Sequence, residues 1–91
     1  MMADIQLKDG MENDFKTLFS GSNKILSSFP GFVSRRFLKS IDGSYRIIVE
    51  HETKETFMTM IQSPEHQEFH PKLHSLMSVE PVKKLFTVSA E

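Results

Sequence analysis

The centre of the chain carries the pattern that most restricts its fold, an Asp-Gly pair between two runs of strand-forming residues. Phe32 to Ser40 is predicted to be extended, and Tyr45 to His51 resumes the strand pattern after Asp42-Gly43. Asp-Gly between such runs is a strong signal for a two-residue turn, because glycine adopts the positive φ that tight hairpin turns require. The centre of the chain is therefore predicted to be a β-hairpin.

The second strand of this hairpin has apolar side chains on both of its faces. Ile47 and Val49 point to one face and Ile48 to the other, because successive side chains of a strand alternate. A sheet that is wetted on one side would be more polar on that side. Both faces of the sheet are therefore expected to be at least partly covered.

A strand and a helix are predicted before the hairpin. Ala3 to Lys8 alternates between apolar and polar residues, which is typical of a strand with one solvated face. Asp9, followed three residues later by Glu12, indicates a helix start, and apolar residues then recur at helical spacing as far as Phe29. This helix is predicted to stop at Pro30-Gly31.

A divided helical region and a last strand are predicted after the hairpin. Thr53 is placed to cap one helix, and Ser63-Pro64 supplies a cap and a first-turn proline for the next. Pro81 ends the helical region, and Val82 to Ser89 contains a final alternating strand. The order β-α-β-β-α-β predicts the split arrangement called ferredoxin-like, an α+β fold with helices on one face of an antiparallel sheet.

The face of this sheet that the helices leave uncovered must meet either water or another subunit. Phe37 or Leu38, together with Ile48 and Leu85, are the apolar residues expected on the open face. A small domain also buries a modest share of its surface by itself, which favours self-association. We therefore predict a homodimer that packs through the open sheet face.

Composition excludes several classes of function for this chain, which is expected to form one domain over residues 1–91. Eleven Lys and Arg against twelve Asp and Glu leave no basic surplus for nucleic acid. The absence of cysteine excludes disulfides, thiolate catalysis and cysteine-zinc sites. Apolar runs are far shorter than the ~20 residues of a membrane helix. The chain is thus predicted to be cytoplasmic, with neither nucleic acid nor membrane as a partner.

Four histidines are the most unusual candidates for chemistry. His51 ends the third strand, whereas His66, His70 and His74 recur every four residues and share one helical stripe. Pro71 cannot donate a backbone hydrogen bond, so it is expected to bend the helix or restart it. Three interpretations stay open, namely packing and capping roles for these side chains, a metal site, and haem ligation. The spacing is not diagnostic of a metal site, and none is predicted.

Two adjacent arginines and the aromatic residues are candidates for a ligand site. Arg35 and Arg36 point to opposite faces of their strand, so they cannot both serve one anion site. Eight phenylalanines form either the core or the wall of a pocket for a flat ligand. Met60 lies on the side of the second helix that is expected to face this pocket.

Several short motifs occur in a specific order along most of the chain. They are Pro30-Gly31-Phe32-Val33-Ser34, the Asp42-Gly43 hairpin, Tyr45 to Val49, Thr53-Lys54-Glu55-Thr56-Phe57 and Ser63-Pro64-Glu65-His66. With this set the sequence resembles the antibiotic biosynthesis monooxygenase family. The resemblance implies a dimeric α+β barrel. Members of the family include cofactor-independent oxygenases of polyketide-like phenols, quinol oxidases, haem-degrading enzymes and an isomerase-like branch.

The chain departs from the family at aromatic positions. In the oxygenase and haem-degrading branches the third strand often ends in Trp, where this chain has His51. By spacing, the Trp and Asn of the haem-degrading branch fall on Met60 and Ala3, and only its iron-ligating histidine is retained, as His70. The resemblance therefore does not imply haem degradation, although haem binding through His70 stays an alternative.

On this resemblance the chain is expected to be a cofactor-independent monooxygenase that acts on a quinol, a phenol or a polyketide-like aromatic. His51 is the first choice as the base and His70 the second, because an imidazole titrates near neutral pH. The expected substrate-binding residues are His66, Phe57, Phe69, Met60 and Arg36. No cofactor is expected, and the expected partners are a second copy of the chain and a small apolar or aromatic ligand. The alternative is a non-catalytic dimer that binds a small ligand.

Overall fold

The chain folds into a four-stranded antiparallel sheet and three helices. The computed structural model describes residues 1–91. The elements are β1 (Met2–Ile5), α1 (Glu12–Leu26), β2 (Phe32–Lys39), β3 (Tyr45–His51), α2 (Lys54–Ile61), α3 (Pro64–His74) and β4 (Val82–Lys84). The strand order is β2-β3-β1-β4, with every neighbouring pair antiparallel. This arrangement confirms the predicted α+β fold with β-α-β-β-α-β order and a second helical connection divided into two helices.

The core lies between one face of the sheet and the helices. In β1 and β3 the buried residues alternate with more exposed ones, so that Ala3, Ile5, Ile47 and Val49 share the helix-covered face. The helices contribute the remaining buried apolar side chains. These are Phe15, Phe19, Leu26, Phe57, Met60 and Leu73, with Met77 just beyond α3. None of the helices has the length and hydropathy of a segment that could cross a bilayer.

The hairpin between β2 and β3 forms as predicted, but its turn is longer than two residues. Lys39 pairs with Tyr45, and the Ser40 amide donates to the Ser44 carbonyl at 2.8 Å. Three residues, Ile41, Asp42 and Gly43, therefore form the loop. Only Gly43 has a positive φ, whereas the two-residue type I′ turn needs a positive φ at both central positions. The expectation of a two-residue turn is thus wrong.

The caps of α2 and α3 confirm the helix starts that the sequence predicts. The Thr53 hydroxyl accepts from the Thr56 amide, and Ser63 accepts from the His66 amide with Pro64 in the first turn. Helix α3 does not restart at Pro71 but continues through it to His74. Proline removes the hydrogen bond to the carbonyl four residues earlier, and its ring crowds that carbonyl. That carbonyl belongs to Gln67, which is solvent-exposed.

The N-terminal elements are shorter than the sequence predicts. Strand β1 stops at Ile5, and Leu7 makes only an isolated bridge to Met77. Helix α1 begins at Glu12 instead of Asp9, because Gly10 has a φ of 75°, which a right-handed helix cannot include. It ends at Leu26, before the predicted stop at Pro30-Gly31, and the residues between form a turn.

The last strand is also shorter than predicted, ending at Lys84 instead of Ser89. Lys84 lies opposite Met2, so the residues after it run past the end of β1 and have no strand to pair with. Phe86 and Val88 are consequently exposed. An alternating sequence alone does not extend a strand beyond its partner.

The open face of the sheet carries only part of the apolar set that was expected there. Ile48 lies on it, because it pairs with Met2 and Arg36, which alternate with the helix-facing residues. Leu38 lies on the same face, two residues after Arg36 in β2. Phe37 lies on the other face, where it contacts the Phe15 ring at 4.8 Å between centroids. Leu85 also lies on the helix side and not on the open face.

We predict that Gly31→Ala destabilises the fold by more than Gly43→Ala does. Both glycines have positive φ, so alanine costs about 1–2 kcal/mol at either position. A Cβ at Gly43 would meet open space, whereas a Cβ at Gly31 would overlap the Thr56 side chain, which caps α2. Urea unfolding of the two variants measures the difference, and equal losses of stability would contradict the predicted clash.

Candidate functional site

A cavity of about 470 Å³ lies between the helix-covered face of the sheet and helices α2 and α3. Thirteen of its 21 lining residues are hydrophobic. The sheet supplies Ala3, Ile5, Ile47 and Val49 from its two central strands, and the strand β4 supplies Lys83. Three residues that the sequence predicts to bind substrate line the cavity, namely Phe57, Phe69 and Met60. The volume and the apolar wall are typical of a site for a small organic molecule.

All three histidines of α3 line this cavity. Because α3 continues through Pro71, residues four apart stay on one face of the helix. The ring centroids of His66 and His70 are 5.5 Å apart, and those of His70 and His74 are 4.0 Å apart. The structure therefore places three imidazoles side by side on the wall opposite the sheet.

His66 is the most enclosed of these imidazoles. Its Nδ1 is buried and has no hydrogen-bond partner. Burial, followed by the positive charge of Arg35 and then by the neighbouring His70 and Lys83, lowers the pKa of His66 from 6.5 to about 4. The imidazole is therefore neutral at pH 7, where it can act as a hydrogen-bond donor or acceptor toward a ligand.

His70 is half-buried, and neither of its ring nitrogens has a hydrogen-bond partner in the protein. Burial lowers the pKa of His70 below its ordinary value, with contributions from His74 and Lys83 and an opposing one from Glu80. A neutral imidazole without a protein partner keeps its lone pair available to accept a proton. His70 thus has the properties that a general base needs.

Arg35 brings a buried positive charge to the same cavity. Its side chain is only 8% exposed, and its Nη1 donates to Ser22 Oγ and to Asn23 Oδ1, each at 2.7 Å. The guanidinium carbon lies 4.1 Å above the centre of the Phe19 ring. Burial lowers the pKa of Arg35 to about 10, which leaves it charged at neutral pH. No carboxylate pairs with it.

Arg36, which the sequence analysis selects for substrate binding, does not line the cavity. It pairs with Ile48 on the open face of the sheet, whereas Arg35 pairs with Val49 on the helix-covered face. Arg35, and not the predicted Arg36, is therefore the arginine that reaches the cavity. Their opposite orientation was evident in the sequence, but which face the helices cover depends on tertiary packing.

His51, the first choice as the base, also lies outside the lining of the cavity. Its Nδ1 is 3.1 Å from Thr56 Oγ1, and its Nε2 is 3.2 Å from Met60 Sδ. The rings of Phe32 and Phe57 meet it edge to face. These contacts join the end of β3 to α2, and they leave neither ring nitrogen free toward the cavity.

The lining residues that the sequence did not single out as site residues include His74 and Lys83. His74 is on the same stripe as His70, and this spacing was the available signal. Lys83 lies opposite Ala3 in the β1–β4 pair, so its side chain shares the helix-covered face. No three His, Asp or Glu side chains converge in a way that could hold a metal ion.

The sequence of this chain matches a model of a known protein family. The family is described as antibiotic biosynthesis monooxygenase, and its model matches residues 1–72. The chain belongs to this family. None of the curated proteins gives a significant match.

Solved structures share the fold of this family member. A variant of SnoaB, a cofactor-independent oxygenase from Streptomyces nogalater, aligns with a TM-score of 0.85 and 21% identity, over 99% of this chain and 91% of that one. A conserved protein from Methanosarcina mazei aligns at 0.82 and 16%, over 89% and 82%. A Mycobacterium tuberculosis protein aligns at 0.78 and 11%, over 98% and 95%. At these identities the likeness shows a common fold.

We predict that His66→Leu makes the stability of the protein less sensitive to acid. The pKa of His66 is about 4 in the folded chain and near 6.5 when unfolded, so between these values only the unfolded chain takes up this proton. Stability therefore falls as the pH falls through this window. Urea unfolding of both proteins at about pH 7 and pH 4.5 measures the two losses. Equal losses in wild type and variant would contradict the enclosed, neutral His66.

Proposed function

We propose that this protein is a cofactor-independent monooxygenase that acts on a quinol, a phenol or a polyketide-like aromatic. The observation that carries the proposal is the apolar cavity with the unpartnered imidazole of His70 in its wall. Membership of the antibiotic biosynthesis monooxygenase family supports the reaction class. A fold alone hosts many functions, so the assignment depends on the chemistry of the side chains in this cavity.

The proposed reaction uses the substrate itself as the source of electrons. Removal of a proton gives an electron-rich anion, which transfers one electron to O₂ and then joins the resulting superoxide through a new C–O bond. Protonation gives a hydroperoxide, and loss of water leaves a carbonyl group. One oxygen atom of O₂ enters the product and the other leaves as water, while the substrate as a whole loses four electrons. The protein supplies position and proton transfer.

Three groups of residues carry this chemistry. We assign the proton transfer to His70, which can take the proton from the substrate and return it to the peroxide. His66, beside it, orients the substrate by a hydrogen bond. The apolar wall formed by Phe57, Phe69 and Met60 packs on the aromatic rings and limits the access of water.

The two histidines that the sequence offers as bases are expected to respond differently to substitution. We predict that His70→Asn lowers kcat by about 100-fold, because general-base catalysis typically contributes at least that factor. His51→Asn should lower kcat by less than about threefold, since His51 does not line the cavity. The measurement is oxygen uptake by the cofactor-free protein with a panel of quinols, phenols and anthrones. A larger loss of kcat in His51→Asn than in His70→Asn would identify His51 as the base.

The same experiment separates the alternatives that the sequence leaves open. Saturable binding of a quinol without oxygen uptake would identify a non-catalytic ligand-binding protein. A shifted haem spectrum that disappears in His70→Asn would identify haem ligation by that residue. Oxygen uptake, ligand binding and absorbance spectra measured together therefore distinguish the oxygenase, the non-catalytic binding protein and the haem-binding protein.

We also propose that the protein is a homodimer that packs through the open face of the sheet. Ile48 lies near the middle of that face, between Met2 of β1 and Arg36 of β2, and Leu38 is also exposed there. A sheet with apolar side chains on both faces is stable when both are covered.

We predict that Ile48→Arg converts the dimer into a monomer. The substitution puts a charge at the centre of the proposed contact, and an unpaired buried charge is costly. Ile41→Arg is the control, since Ile41 is fully exposed in the hairpin loop. Sedimentation velocity at micromolar concentration should show a dimer for wild type and for Ile41→Arg. A monomeric wild type would contradict the proposed assembly.

A further inference from the structure

The charged side chains that line the cavity are all of one sign. The chain as a whole has eleven basic and twelve acidic residues, with a net charge of −1. The residues that line the cavity nevertheless include Arg35, Lys83 and Lys84, and not one Asp or Glu. A cavity with apolar walls and charges of one sign concentrates its electrostatic potential on whatever enters it. The potential here favours a negative ligand.

Arg35 is the strongest contributor, because its charge is permanent and has no counter-ion. Nη1 makes both of its protein hydrogen bonds, to Ser22 and Asn23, so Nε and Nη2 have no protein partner. The ion pairs of the protein lie elsewhere, as in the Lys39–Glu12 and Arg46–Asp4 contacts on the surface. Buried charges in proteins are normally paired or bound to ions. Arg35 is therefore positioned to pair with an anion in the cavity.

His66 can add a second hydrogen-bond donor to the same anion. Its Nδ1 is buried without a partner, whereas Nε2 is not enclosed in this way. An unpaired buried acceptor is tolerated better than an unpaired buried N–H group. This favours the tautomer with the proton on Nε2, which then donates to a ligand. Arg35 and His66 both line this cavity, so a ligand bound there can meet both groups.

We propose that the cavity selects an aromatic ligand that carries a carboxylate, held by Arg35 and His66. The ring system packs on the apolar wall, and Lys83 adds to the attraction for the anion. The proposal rests on this cavity being the ligand site of the proposed function. It adds that the ligand is already negatively charged when it binds.

The test compares two probes that share one shape and differ in charge. These are 2-naphthoate, an aryl carboxylate, and 2-naphthamide, its neutral counterpart. Calorimetric titration of the wild-type protein at pH 7.5 should show naphthoate binding at least about tenfold more tightly, because hydrogen bonds to charged groups are stronger than neutral ones. Equal affinities, a preference for the amide, or no binding of either probe would overturn the proposal.

A matched pair of variants assigns the preference to one side chain. Arg35→Met removes the buried charge and keeps an apolar side chain of similar length. It should abolish the preference for naphthoate. Arg36→Met removes the neighbouring charge on the open face of the sheet and should leave the preference unchanged. An unchanged preference in Arg35→Met would overturn the role of Arg35.

A third variant keeps the test decisive if Arg35→Met fails to fold. Lys83 is exposed at the cavity and makes no ion pair, so Lys83→Gln should fold normally. It should weaken naphthoate binding by about threefold and leave naphthamide binding unchanged, as expected for a partly screened charge. Equal effects on both probes would contradict an electrostatic site.

These binding measurements are independent of the oxygenase reaction. If naphthoate is preferred through Arg35 but no phenol or quinol consumes oxygen, the proposed function fails and the anion site stands. If oxygen is consumed but neutral and anionic probes bind equally, the proposed function stands and the charge selection fails. The two proposals can therefore be rejected separately.

Discussion

The structure depends on the register of strand β3, which pairs with β2 on one side and β1 on the other. This pairing brings Ile47 and Val49 to the face that the helices cover, next to Ala3 and Ile5. A slip of one residue would turn every side chain of the strand to the opposite face. It would expose the core positions and bury charged ones. The same register that forms the core therefore also decides which side chains reach the cavity.

Most of the fold could be predicted from local patterns. The hairpin, the caps at Thr53 and Ser63, and the order of elements all depend on residues that are neighbours in the sequence. The ends of the elements could not be predicted in the same way. Strand β4 stops at Lys84 because β1 offers no further partner, and this is a property of the assembled sheet. Helix α3 tolerates Pro71 because the carbonyl that loses its donor belongs to an exposed residue.

The candidate site was less predictable than the fold, and for a physical reason. Alternation showed that Arg35 and Arg36 point in opposite directions, but Phe37 and Leu38 put apolar residues on both faces of the strand. Only the position of α1, whose Phe15 and Phe19 meet Phe37, decides which face is covered. Similarly, the sequence favoured the histidine at the end of a strand, His51, as the base over His70 in the middle of a helix. The contacts with Thr56 and Met60 turn His51 away from the cavity.

The buried charge of the cavity comes from Arg35, which is not one of the residues that form the hydrophobic core. None of the eleven residues of the hydrophobic core is charged, and Arg35 is held beside them by two side chains of α1. Replacing both partners of a buried hydrogen bond with apolar groups of the same shape can be nearly neutral for stability. Related chains can therefore diverge at Arg35 together with Ser22 and Asn23 while they keep the same packing. In such a scaffold, a change in the polarity of the ligand can evolve without a change in architecture.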